Sequence, residues 1–379
     1  MAGGAVSFVP PPYPYERLEG LRESASRHEG GAIDCSIGTP VDPPPDFVTR
    51  ELGRASGARG YPPSAGTPRY REAAAGWLSR RFGVELPASQ LAACVGTKEF
   101  VASLATYLHL RRNDRDTVLY PAISYPTYAM GATLAGLRAV EVPWRDGSLD
   151  LDAVAPEDVR RSLVLWSNSP SNPTGELDDL GAVARWGREN DVLVASDECY
   201  ADFTWQDHPR SILQHGLDNV IAVHSVSKRS NLAGVRAGFY GGDADVVSYL
   251  RLVRQHAGLM VAAPVQSAVA LAYDDDEHVE TQRDVYYRRL QIVGDALRAA
   301  GVRCPPPRGS FYLWCTRPGM DGWQLAAWLA DVAGLIVSPG ELYGSAGADF
   351  ARVAMVQPDD RLEIAAQRLR DWAESSHYD

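Results

Sequence analysis

Five short apolar runs rich in β-branched residues, Thr117 to Tyr120, Ala139 to Val142, Leu163 to Trp166, Val192 to Ala195 and Val220 to Val223, are separated by stretches long enough to hold a helix. Runs of this kind suit strands buried on both faces of a parallel sheet. Between them, Asp178 to Glu189 and Ala244 to His256 space apolar residues three or four apart, the period of a helix. The alternation predicts an α/β domain whose mostly parallel sheet is flanked by helices. Acidic Asp274 to Glu277 predict the start of a long helix reaching about Ala300, because carboxylates favour the positive end of the helix dipole. Beyond it, a proline run (Pro305 to Pro307), a strand-like Ser310 to Cys315 and a last helix from about Arg361 predict a second, smaller α+β domain. The proline-rich N-terminus is expected to fold back on it. The expected division is an arm and part of the small domain in residues 1–44, a large domain in 45–285 and the small domain in 286–379.

At 379 residues, with 45% hydrophobic and 22% charged residues, the chain can bury a full core and reads as an ordinary globular protein. A net charge of −11 disfavours nucleic acid or an anionic membrane as partner, while leaving anionic small molecules to a local pocket. MAGGAVSFVPPPYPYERL shows no basic segment leading into an apolar one, and no apolar run approaches a membrane span, so a cytoplasmic location is expected. Five cysteines without a CxxC pair fit reduced, buried thiols, and eight histidines without ligand spacing give no metal site.

Ligands of open parallel sheets bind beyond the carboxyl ends of the strands. Three consecutive runs end in polar residues: LVLW leads into SNSPSNPTG (Ser167 to Gly175), VLVA into SDECY (Ser196 to Tyr200), and VIAV into HSVSK (His224 to Lys228). One rim thus gathers an amide, Asn172, a carboxylate with a phenol, Asp197 and Tyr200, and hydroxyls with an amine, Ser225, Ser227 and Lys228. The amine stands out. Of 37 basic residues only Lys98 and Lys228 are lysines, leaving 35 arginines. Arginine stays charged, whereas a lysine with a lowered pKa can form a Schiff base and carry protons.

A fourth cluster, VGTKE (Val95 to Glu99), precedes a helical pattern at Phe100, Val101, Leu104, Ala105 and Leu108. Small residues there expose N–H groups at a helix N-terminus, which suits phosphate, although the same pattern also makes an ordinary turn. Neither GxxxxGK[ST] nor GxGxxG is present in that setting, which argues against a P-loop or a dinucleotide fold. Amine, carboxylate, amide, phenol and phosphate nest together are what pyridoxal phosphate requires: a lysine for its aldehyde, an acid for its ring nitrogen and donors for its phosphate. Taken singly, Asp197 reads as a turn residue, Asn172 as a proline-turn opener, Tyr200 as a core aromatic and Lys228 as a solvated charge. Their placement on neighbouring strand ends favours the joint reading.

NSPSNPTG, SDECY, SVSKRSNLAGVRAG and RVAMV, in this order, resemble the class I/II aminotransferases of fold type I over nearly the whole chain. The resemblance implies a homodimer with shared active sites, a large domain built on a mostly parallel sheet, and a small α+β domain built from both termini. It implies that Lys228 bonds to the cofactor aldehyde and moves the substrate proton, that Asp197 partners the ring nitrogen, and that Asn172 and Tyr200 bind the phenolic oxygen. Tyr125 in SYPTY would stack on the ring. Gly96, Thr97 and Lys98, together with Ser225, Ser227 and Arg236, would hold the phosphate, joined by Tyr61 from the neighbouring subunit. Arg352 would grip the substrate carboxylate beside Gly38 and Asn172. Lys98 is the rival for the imine, but its place at the phosphate helix points it away from the aldehyde.

IGTPVDPPP, GYPPSAGTP, ACVGTKEF, SDECYADFTW, HSVSKRSNLAG and VQPDDRLE are more closely similar to the actinobacterial N-succinyl-L,L-diaminopimelate aminotransferases of lysine biosynthesis. That family moves an amino group from glutamate to a succinylated keto acid. Gln255, in Arg254-Gln255-His256, departs from the basic residue expected there, and a relative recruited to another keto acid in specialised metabolism is the main alternative. A pyridoxal phosphate-dependent C–S lyase and a cofactor-binding transcriptional sensor are the others; a sensor would need an added basic DNA-binding segment.

Overall fold

The computed structural model describes residues 8–11, 14–54, 59–145 and 147–375. Pro12 of the first proline run, the N-terminal positions 1–7 and the last four positions of the expected small domain lie outside the described residues. Seven strands form the central sheet in the order Leu91–Cys94, Gly238–Gly242, Val220–Ser225, Leu193–Asp197, Ser162–Asn168, Thr117–Pro121 and Arg138–Val142. Only Gly238–Gly242 is antiparallel to its neighbours. All five apolar runs lie on strands, with Val192 just ahead of its own. Leu91–Cys94 is too short to stand out in the sequence, and GFYGG (Gly238–Gly242) carries three glycines that hide a strand.

Side chains alternate across the sheet as strand geometry demands. Leu165, Val194, Val220, Ala222 and Phe239 enter one core with helices Pro68–Phe82, Leu180–Glu189 and Ala263–Asp274. Val164, Trp166, Leu193, Ala195, Ile221 and Val223 enter another with helices Thr97–Arg111, Thr127–Leu134 and Ala244–His256. The sheet is therefore covered on both faces, which is why its strands are nearly all apolar.

A third core joins Leu21, Ala25 and Ile33 to residues from Tyr286 onward, including Leu297, Leu329, Val353 and Leu369. Ile33–Asp34 pairs in parallel with Leu335–Ile336. Tyr312–Cys315, Ala351–Ala354 and Ser338–Pro339 form a separate antiparallel sheet. The helix Glu277–Ala299 runs unbroken through positions 285 and 286, so the division of the chain there stays a proposal.

Four expected boundaries shift. Asp178 precedes its helix because its buried carboxylate accepts from Ser148 Oγ (3.0 Å), Leu149 N (3.0 Å) and Ser167 Oγ (2.7 Å), leaving Asp179 to cap the helix at Ala182 N. Asp274 closes the helix Ala263–Asp274, and the long helix opens at Glu277. The last helix opens at Asp359, and the strand following the third proline run begins at Tyr312.

Arg289 fastens the N-terminal arm to the small domain. Its two terminal nitrogens donate to Asp42 (2.6 and 2.7 Å) and its Nε to Asp359 (2.6 Å), with the guanidinium almost wholly buried. Replacing Asp42 by Ala strips the paired acceptor from a buried cation, and should cost about 2–4 kcal/mol in urea unfolding. A loss under about 0.5 kcal/mol would show that Asp359 alone suffices.

Candidate active site

The strand ends Ser162–Asn168, Leu193–Asp197 and Val220–Ser225 open into a cavity of about 370 Å³. It is lined by Gly38, Thr97, Lys98, Tyr125, Asn172, Asp197, Tyr200, Ser225, Ser227, Lys228, Arg236 and Arg352. Thus all residues singled out in the sequence share one site except two. Gly96 lies at its edge, and Tyr61, 96% exposed, stands outside it in this single chain.

Lys228 follows directly on the strand Val220–Ser225, in the four-residue helix Val226–Arg229. Its Nζ donates to the Gly38 carbonyl. Burial, more than the nearby guanidinium groups of Arg352 and Arg236, lowers its ammonium from 10.5 to about 8. The next three residues anchor it. Arg229 donates to Asp202 (3.1 Å) and to the Ala272 carbonyl (2.7 Å), and Ser230 Oγ contacts His278 Nε2 (2.8 Å). Asn231 donates to Gln282 (2.9 Å), whose amide donates to Asp42 (3.0 Å).

Asp197 is buried, and burial pushes its carboxyl up, against the opposing effect of its donors. Those donors are the Tyr128 hydroxyl (2.9 Å) and the Cys199 backbone N–H (3.2 Å). Sequence reasoning missed Tyr128; its three-residue spacing from Tyr125 was the available signal, and Tyr128 lies in the first turn of the helix Thr127–Leu134. Burial raises both Tyr128 and Tyr200 far above the ordinary phenol, so each is a neutral donor at physiological pH.

The helix Thr97–Arg111 starts at the cavity. Its N-cap, Gly96, has φ of 73°, and a Cβ there would sit 2.3 Å from Arg236 Nη2, so only glycine lets the guanidinium lie against the helix end. Ser225 Oγ donates to Ser227 Oγ (2.8 Å) and accepts from Ser227 N (3.0 Å). A helix N-terminus, two hydroxyls and a guanidinium fit a phosphate.

Arg352, on the strand Ala351–Ala354, donates to Asn172 Oδ1 (2.7 Å) and the Ser36 carbonyl (2.6 Å), with Tyr312 and Tyr343 rings 4.2 and 4.8 Å from its guanidinium. Tyr312, also missed in the sequence, shares a 2.7 Å hydroxyl contact with Tyr200, and a Cβ at Gly38 would collide with it at 2.0 Å. Lys98 sits over the Tyr125 ring at 5.9 Å. Gln255 is exposed and does not line the cavity, while its neighbour Arg254 is buried in a paired contact with Glu99 (2.8 and 2.7 Å) at the start of the Thr97–Arg111 helix. The departure from the family pattern at Gln255 therefore lies outside the cavity of its own chain.

An amine poised near neutrality, a buried carboxylate and an anion nest around one cavity are a site for pyridoxal phosphate, and residues 33–369 match the family described as aminotransferase class I and II. The chain belongs to that family. The aminotransferase is therefore pyridoxal phosphate-dependent. It is 41% identical to 4-dedimethylamino-4-oxo-anhydrotetracycline transaminase OxyQ of Streptomyces rimosus, over 95% of this chain and 99% of that one. It is equally 41% identical to the probable aminotransferase Rv1178 of Mycobacterium tuberculosis, over 97% and 87%. A probable N-succinyldiaminopimelate aminotransferase from Thermus thermophilus superposes with a TM-score of 0.85 at 30% identity, over 95% of this chain and all of the other. No helix among the described residues is long and apolar enough to cross a membrane.

The depressed Lys228 pKa carries a stability signature in the cofactor-free protein. Below about pH 8 the folded chain holds a charged, poorly solvated amine; between about 8 and 10.5 the unfolded chain keeps a proton that the folded one has released. Folding stability gained from this group therefore rises with pH across that window. Lys228→Met removes the effect, so its advantage over the unsubstituted protein should be largest below pH 8, at most roughly 3 kcal/mol, and shrink toward pH 10.5. A pH-independent difference in urea unfolding would contradict the lowered pKa.

Proposed function

We propose that this aminotransferase moves an amino group from glutamate to N-succinyl-2-amino-6-oxopimelate, in the direction that forms N-succinyl-L,L-diaminopimelate. The observation that carries an amino-acid donor is Arg352, which lines the cavity together with Lys98, Lys228 and Arg236, the groups assigned to the cofactor, and whose planar fork suits the α-carboxylate of donor and product. The likeness to the N-succinyldiaminopimelate enzyme from Thermus thermophilus supports the acceptor.

When bound, pyridoxal phosphate supplies an aldehyde carbon that carries the amino group and a ring that takes up electrons. Lys228, unprotonated in a useful fraction near neutral pH, is the amine that would hold the aldehyde and, when the substrate amino group has taken its place there, would move the proton at the substrate Cα. Asp197 would hold the proton of the ring nitrogen. Asn172 and Tyr200 would donate to the phenolic oxygen, and Gly96, Thr97, Lys98, Ser225, Ser227 and Arg236 would hold the phosphate. Arg352 takes the substrate α-carboxylate with its planar fork, beside Gly38. Tyr125 covers the ring. Tyr61, fully exposed here, completes the phosphate site of a second copy in a homodimer.

A second reading has its own support. OxyQ, whose name gives it a tetracycline intermediate, is as similar to this chain as Rv1178 is, so the alternative acceptor is a keto compound of specialised metabolism. Titrating purified holoenzyme with glutamate and then N-succinyl-L,L-diaminopimelate separates the two. Conversion of the cofactor absorption by both supports the lysine-pathway reaction, whereas conversion by glutamate alone moves the protein to the second reading.

Lys228→Ala should leave no bond for borohydride to reduce and lower turnover at least about 10³-fold, whereas Lys98→Ala should keep the reducible bond. The reverse pattern would transfer the role to Lys98. Arg352→Ala should raise KM for every amino acid tested; an effect on one substrate alone would place it at a side-chain pocket.

A further inference from the structure

The helix that starts at the cavity carries an acid in its first turn, Glu99, directly after Lys98. A carboxylate at that position favours the helix, but it also cancels part of the positive field that draws a phosphate to the same N-terminus. Its side chain folds back on the turn, as Oε2 accepts from Val95 N (3.3 Å), one residue ahead of the N-cap Gly96. This is the reach of a capping-box acid, extended by one position. Neither Glu99 nor Arg254 lines the cavity.

Both carboxylate oxygens accept from groups that can only donate. Arg254 Nη1 donates to Oε1 (2.8 Å) and Nη2 to Oε2 (2.7 Å), and Ser103 Oγ adds a third side-chain donor at Oε1 (3.0 Å). A proton on either oxygen would point at an arginine N–H, so this geometry holds an ionised carboxylate against a guanidinium. Arg254, 1% exposed, comes from the last turn of the helix Ala244–His256. Its guanidinium lies 5.3 Å from the Phe100 ring and 5.5 Å from the Tyr240 ring, and the two rings stack at 4.5 Å. Burying a cation there costs desolvation that an apolar side chain of similar size would avoid, so packing alone does not account for an arginine. The charge balance at the helix end does. Without Arg254, the acid that holds the turn would oppose any phosphate arriving at the next turn residues; with it, the turn is held and the opposition removed.

We propose that Arg254 is a positioning residue for the cofactor phosphate: its paired contact neutralises Glu99, so that the N-terminus of Thr97–Arg111 keeps a net positive field toward the phosphate while Glu99 holds the turn. The inference rests on Gly96, Thr97 and Lys98 as the phosphate seat. It gives Arg254-Gln255-His256 a function through its first residue instead of its middle one.

Binding of pyridoxal phosphate and of pyridoxal, which lacks the phosphate, to the full cofactor-free chain reads the proposal without turnover. Arg254→Met should lower the affinity for pyridoxal phosphate at least about tenfold and leave that for pyridoxal unchanged, because the uncompensated charge acts on the phosphate alone. Adding Glu99→Gln to that variant should restore most of the loss. Glu99→Gln by itself keeps the shape and an acceptor for Arg254, and should bind pyridoxal phosphate at least as tightly as the unsubstituted chain; it decides the matter where Arg254→Met does not fold. Equal loss of both ligands in Arg254→Met, or weaker pyridoxal phosphate binding in Glu99→Gln, would make the pair a clasp on the helix end and overturn the proposal. Gly96→Ala, whose Cβ would meet Arg236 Nη2 at 2.3 Å, tests the seat itself. If it binds pyridoxal phosphate normally, the seat lies elsewhere and that assignment fails; if it loses pyridoxal phosphate while the charge variants bind like the unsubstituted chain, only the role of Arg254 fails.

Discussion

Parallel strands that end along one edge of a sheet deliver whatever follows them to the same place, and this chain depends on that geometry. The amide after Ser162–Asn168, the carboxylate ending Leu193–Asp197 and the lysine after Val220–Ser225 are separated by dozens of residues, yet meet because their strands are hydrogen-bonded neighbours. The apolar positions that make those strands insoluble alone are the same ones that fix their register. Packing on both faces therefore sets the spacing of the polar groups to within a rotamer.

What the sheet cannot supply comes from the chain ends. Gly38 and Ser36 reach the cavity from the N-terminal arm and Arg352 from the C-terminal sheet, and Arg289, Asp42, Gln282 and Asn231 tie these to the segment carrying Lys228. A displacement of the small-domain core is thereby transmitted to the lysine through side chains with defined partners. The buried charges on this route are paired with short contacts, so they resist sliding more than they add stability.

Much of this was legible in the amino-acid order. The five apolar runs, the long helix and the polar clusters at strand ends follow from periodicity and from where ligands bind in open sheets. What escaped had physical reasons. The antiparallel strand Gly238–Gly242 is rich in glycine and lacks a β-branched signature, and a four-residue strand such as Leu91–Cys94 has too little pattern to read. Tyr128 and Tyr312 act through hydrogen bonds to Asp197 and Tyr200 across 69 and 112 positions, which no local pattern encodes. Asp178 reads as a helix opener until its three donors are seen to come from Ser148, Leu149 and Ser167. Gln255 departs from the basic residue expected there, and which way it faces could not be read from the sequence; the helix turns it outward and buries Arg254 instead.

The cavity has two walls of different origin. One is the strand rim, with Asn168, Asp197, Ser225 and Lys228; the other combines Ile37, Gly38 and Thr39 of the arm with Tyr312 and Arg352 of the terminal sheet. Drift in the second wall can reshape what enters without touching the first. Two relatives equally distant from this chain, one named for a tetracycline intermediate and the other only as a probable aminotransferase, share a reaction class without a shared named substrate.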